Sequence, residues 1–118
     1  MKQYTNKEQT QHLIELGFEK PKVLSYYIRL HYGSDYSEDF YYEEDGRYGC
    51  WYDNYSIGDL IEFLPKEIET KGGLEIVFEC GRWIVMHGHS PFDLYCKSVE
   101  LIDAIYEYCV KLKNEGAI

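Results

Sequence analysis

Two cysteines and two histidines fall within the eighteen residues ECGRWIVMHGHSPFDLYC, from Glu79 to Cys96. Thiolate and imidazole are the common zinc ligands, and a structural site needs four of them at about 2.0–2.3 Å from one ion. The residues between them decide whether they can meet. Apolar alternation runs up to Cys80-Gly81 from both sides, which places a hairpin turn at that dipeptide. The register that follows sets Glu79 opposite Arg82, Phe78 opposite Trp83, Val77 opposite Ile84 and Ile76 opposite Val85. Opposite charges meet and apolar residues meet, so the pairing is consistent along its length. Cys80 then sits at the tip, with His87 on the order of 20 Å down the strand at about 3.3 Å per residue. A further strand over Phe92–Cys96 would carry Cys96 toward the tip as well. The four side chains do not converge, and the stretch reads as sheet, with no metal centre and no cofactor. His87-x-His89 remains as two imidazoles on one strand face about 7 Å apart, a pair that needs a third ligand to hold a metal.

The densest charge run is Asp35, Glu38, Asp39, Glu43, Glu44 and Asp45. It lacks the D-x-[DN]-x-[DN]-G spacing of a calcium loop. Nucleophile signatures are missing too: there is no G-x-S-x-G, no P-loop and no H-E-x-x-H. Cys109 falls on the apolar stripe of a helix, and Cys50 would serve as a catalytic thiol only with a base such as His31 beside it.

The elements that must position these residues are legible from periodicity. Thr5 to Gly17 predicts a first helix, capped by Thr5 with Glu8 completing a capping box and stopped at Gly17. Val23 to Tyr32 alternates with period 2 and predicts a strand. Asp45-Gly46 is a hairpin signal inside FYYEEDGRYGCWY and sets Glu44 opposite Arg47 and Glu43 opposite Tyr48. Ser56 and Asp59 cap a second helix that Pro65 ends. Gly72-Gly73 releases the chain into the β-hairpin described above. Ser98 to Asn114 predicts the last helix, with Leu101, Ile105, Tyr108 and Leu112 on its buried stripe, Ile102 and Cys109 beside them, and a stop at Gly116. The sum is a single α+β domain over residues 1–118: a mainly antiparallel sheet of about five to six strands with three helices, in the order α-β-β-β-α-β-β-(β)-α.

With 118 residues the chain can bury one core. Its 12 basic and 21 acidic residues give a formal charge of −9, which disfavours direct binding to nucleic-acid phosphates. The polar start MKQYTNKEQTQH resembles no secretory leader, and no apolar run is long enough for a membrane span, so no membrane association is expected. Four cysteines without a C-x-x-C then read as reduced thiols of a cytoplasmic protein.

Three segments, YTNKEQTQHLIELGFEKPK, YSIGDLIEFLPKEI and SVELIDAIYEYCVKLKNEGAI, resemble a group of small gut-bacterial proteins often met on phage-like or conjugative elements. That group has no assigned activity, so the resemblance carries over no catalytic residues. It implies a cytoplasmic accessory protein of a mobile element.

The expected function is a non-enzymatic protein-interaction module. Its contact residues are Tyr41, Tyr42, Glu43, Glu44, Asp45, Tyr48, Trp51 and Tyr52, since tyrosine and tryptophan dominate interface hot spots. The partner is expected to be a basic protein, with an acidic nucleic-acid mimic as a special form. The alternative is a small ligand-binding domain or enzyme with a pocket near His31, His87 and His89. A homodimer joined through an exposed strand edge is the third reading.

Overall fold

The structure, a computed structural model, describes residues 1–21, 41–45, 48–52, 54–69, 71–88 and 95–118. The expected strand Val23–Tyr32 and the loop after it lie outside the described residues. Along the chain the elements are α1 (Lys7–Glu15), β1 (Tyr41–Asp45), β2 (Tyr48–Tyr52), α2 (Ile57–Phe63), β3 (Glu67–Ile68), β4 (Gly72–Glu79), β5 (Arg82–His87), β6 (Tyr95–Ser98) and α3 (Leu101–Asn114). The class is α+β, and among the described residues every strand pairing is antiparallel. Among the described residues β1 and β2 make a two-stranded ladder, and β3-β4-β5-β6 make a four-stranded sheet in that order, where a sheet of five to six strands is expected. Backbone contacts divide the chain into two units, residues 5–55 and residues 1–4 with 56–118.

In the unit of residues 5–55, α1 is capped by Asn6 and not by Thr5. The Asn6 side chain accepts from the Gln9 N–H at 2.8 Å, and the Gln9 side chain accepts from the Asn6 N–H at 2.9 Å. Asn is at least as good an N-cap as Thr, and the Asn6–Gln9 spacing completes a capping box one residue later than expected. Thr5 is freed for a buried role described below. The helix ends at Gly17 as its sequence predicts, with Gly17 N–H donating to Ile14 O and Phe18 N–H donating to Leu13 O.

In the other unit, α2 opens at Ser56 with Asp59 completing its capping box, as expected. Leu64 has extended backbone because the following Pro65 excludes the helical region. Two residues of β3 then pair with Gly72 and Gly73. This strand is too short for any alternation and has no counterpart in the sequence reading.

The β4–β5 hairpin has the predicted register: Ile76, Val77, Phe78 and Glu79 face Val85, Ile84, Trp83 and Arg82. Cys80 (φ 53°) and Gly81 (φ 75°) both lie in the left-handed region, the backbone of a type I′ turn. At the far end of β5, Gly88 (φ 74°) passes so close to the Lys71 carbonyl that a Cβ there would collide with its oxygen. Its N–H donates to Gly73 O at 2.8 Å.

β6 runs to Ser98, which pairs with Trp83, so α3 begins later than expected, with Glu100 at its N-cap. Glu100 makes no side-chain cap bond to its own helix. It accepts the Lys2 backbone N–H at 3.1 Å instead, and the Lys2 ammonium pairs with Asp103 at 3.2 Å. The predicted stripe of α3 is buried as a whole: Leu101, Ile102, Ile105, Tyr108, Cys109 and Leu112. It packs on β5, β6 and α2, and each large apolar side chain removed from water contributes about 1.5–3 kcal/mol. Among the described residues no helix is long and apolar enough to cross a membrane.

Candidate interaction surface

Hairpin β1–β2 brings together the eight residues expected to form the contact surface. Tyr41, Tyr42, Glu43, Glu44 and Asp45 are consecutive on β1, and Tyr48, Trp51 and Tyr52 lie on β2. The observed register corrects the expected one. Asp45 pairs with Tyr48, Glu44 with Gly49 and Glu43 with Cys50, so each β1 residue meets a partner two positions further along than expected. Asp45 therefore belongs to the ladder and not to its turn. The shift has a residue-level rationale: it sets Tyr42 opposite Trp51 and Tyr41 opposite Tyr52, whereas the other register would waste two aromatic positions on Gly49 and Cys50. A two-residue connection that starts with glycine is also a favoured hairpin type. One electrostatic consequence follows. The ladder partner of Glu44 is Gly49, and none of the three consecutive acids has a basic residue as its ladder partner.

His87 is a structural residue of the core. It is only 3% exposed, at the end of β5. Its Nε2 lies 2.7 Å from the Pro65 carbonyl oxygen and its Nδ1 lies 2.6 Å from the Tyr108 hydroxyl. A carbonyl only accepts, so Nε2 carries the hydrogen and donates; in the neutral ring Nδ1 then accepts from the Tyr108 O–H. Both nitrogens are engaged, which leaves neither as a free metal ligand. His31 and His89, the other two histidines of the alternative pocket, lie outside the described residues. Among the described residues no group of three or more His, Cys, Asp or Glu side chains is placed to hold a metal ion.

The three described thiols are two core groups and a bare tip. Cys80, Cys96 and Cys109 are free, with Cys80 exposed and the other two buried. Burial pushes the Cys96 thiol up to about 11 and the Cys109 thiol up to about 12, so both stay protonated near neutral pH. A shallow groove along α3 has Cys96 and Lys111 in its lining, and the Lys111 ammonium donates to Tyr95 O at 3.1 Å.

An apolar feature escaped the sequence reading. Phe78 is 60% exposed, with its ring centroid 5.0 Å from that of Trp83. Val99, 65% exposed, follows Ser98, the β6 partner of Trp83. Phe78 lies one residue from the charged Glu79–Arg82 pair beside the turn, at the end of the hairpin where burial falls off along both strands. No protein-family model, curated protein sequence or solved structure matches the chain.

Proposed function

We propose that this protein is a non-enzymatic interaction module that presents hairpin β1–β2 to a basic protein partner. The observation that carries the reading is the register of the hairpin. Glu43, Glu44 and Asp45 run consecutively along one strand and face Cys50, Gly49 and Tyr48, with no cation opposite them. Like charges in sequence repel, and a positive partner surface relieves that repulsion. The tyrosines and Trp51 of the same ladder supply amphipathic rings, the residue types on which interfaces depend most. Among the described residues the hairpin forms a two-stranded sheet of its own. The resemblance to mobile-element accessory proteins agrees with such a role, and an acidic mimic occupying a DNA-binding protein is its most specific form.

Two features weigh against the other readings. A pocket built around His87 would have to break both of its core hydrogen bonds. Pairing of two chains through β6 is discouraged by exposed Lys97 and by the Lys111 ammonium on the Tyr95 carbonyl.

The test is the salt dependence of association with the partner recovered from the host cell. The association rate is expected to be high at low salt and to fall as screening shortens the Debye length to about 10 Å near 0.1 M. A partner that is acidic, or a rate indifferent to salt, removes the electrostatic basis of the proposal.

A further inference from the structure

Residues 5–55 begin and end side by side. The Thr5 N–H donates to Tyr55 O at 2.9 Å, and the Tyr55 N–H donates to Thr5 Oγ1 at 3.0 Å. One residue outward in each direction, Tyr4 and Ser56 form an antiparallel bridge that belongs to the other unit. The topology is that of a segment inserted into a chain whose flanking residues are already paired.

A buried polar chain fastens the two ends. Thr5, Thr10, Asn54 and Tyr55 are exposed by 2%, 0%, 6% and 1%. The Thr5 and Thr10 hydroxyl oxygens are 2.7 Å apart. Thr10 Oγ1 also lies 2.7 Å from Asn54 Oδ1 and 2.8 Å from Asn6 O. Proton counting gives the chain a direction. Thr5 Oγ1 accepts from the Tyr55 N–H and donates to Thr10 Oγ1, whose single proton serves Asn54 Oδ1 and Asn6 O. The Tyr55 hydroxyl donates to Glu19 O at 2.6 Å, so the same residue also holds the backbone beyond α1. Every one of these bonds joins two residues within 5–55. Such a network is strong when complete and costly when one member is lost, because the remaining buried groups are left without water.

We propose that helix α1 and hairpin β1–β2 open and reclose together as a cooperative unit separate from residues 56–118, and that the Thr5–Thr10–Asn54–Tyr55 clasp sets how often they do so. Proteins open in contiguous units of this kind, with protection that differs between units. The proposal stands on the clasp and the chain path, and it does not depend on what hairpin β1–β2 binds.

Hydrogen exchange on the full chain, followed by mass spectrometry, tests it. In the wild-type protein, residues 5–21, 41–45 and 48–52 should exchange through a common opening, faster than residues 72–87 and 101–114. Thr10→Val keeps the shape and removes the hydroxyl, and should speed exchange in the first group on the order of tenfold while leaving the second unchanged. Thr10→Ser restores the hydroxyl and should return exchange toward the wild-type rate. A single shared opening for both groups in the wild type overturns the proposal. So does a Thr10→Val variant that is unaffected, that accelerates both groups equally or that fails to fold, and so does a Thr10→Ser variant as fast as Thr10→Val.

Discussion

His87 Nδ1 and the Tyr108 hydroxyl are 2.6 Å apart, and their rings stack at an interplanar angle of 24°. The contact ties the last residue of β5 to the middle of α3, and the Pro65 carbonyl on Nε2 adds the end of α2 to the same ring. Tyr108→Phe should preserve the stack and leave Nδ1 without its donor inside the core. The expected cost is about 1–3 kcal/mol, read as a lower denaturation midpoint in urea at an unchanged slope. A stability equal to wild type would mean that the hydroxyl contributes nothing to holding the strand to the helix.

Three buried acids make the fold sensitive to base. Burial is the main cause in each case: Cys96 is raised to about 11, Cys109 to about 12 and Tyr108 to about 12. In the unfolded chain these groups titrate from 9.0 for the thiols and 10.0 for the phenol. Between those values and the raised ones, the unfolded state has lost protons that the folded state still binds. Stability therefore falls as pH rises. The stabilising contribution of these three groups should be fully present below about pH 8, decline from about 9 and be largely lost by about 12. Denaturant titrations at stepped pH measure the slope. Cys109→Ala should flatten it, because one of the three groups is then absent.

Ile105 lies at zero exposure on the stripe of α3 that faces β5, β6 and α2. Ile105→Ala removes three carbons from that contact and should cost about 2–5 kcal/mol in the same denaturation assay. A cost near zero would show that the helix face is misassigned.

Local rules made much of this fold legible, and tertiary competition hid the rest. The register of β4–β5 was readable because charge, aromatic and aliphatic pairs all agree on one alignment around Cys80-Gly81. The stripe of α3 was readable because one amphipathic helix needs only its own periodicity. The β1–β2 register was not, since Asp45-Gly46 and a turn starting one residue later are both good local solutions, and the aromatic pairs beyond them decide. Thr5 and Ser98 look like N-caps in isolation, yet the chain uses Thr5 in the buried clasp and Ser98 in the sheet. His87 reads as polar in sequence and becomes core only because a carbonyl from Pro65 and a hydroxyl from Tyr108 arrive from residues far along the chain. Of the eight hairpin residues proposed as the contact surface, sequence supplied the identities and the structure supplied their alignment. Which hairpins share a sheet was beyond any local signal: among the described residues β1–β2 form one ladder and β3 to β6 another sheet.

The account rests most heavily on the hairpin as the contact element, and binding kinetics with the recovered partner test that directly. Association and dissociation rates would be compared for wild type, for Glu43→Gln/Glu44→Gln/Asp45→Asn together, and for Tyr48→Ala and Trp51→Ala. Losing three acids should mainly slow association at low salt, by on the order of tenfold, and should flatten its salt dependence. Losing either ring should mainly speed dissociation. If the partner binds all of these variants with wild-type rates, the hairpin is a solvated edge and the proposed function is wrong.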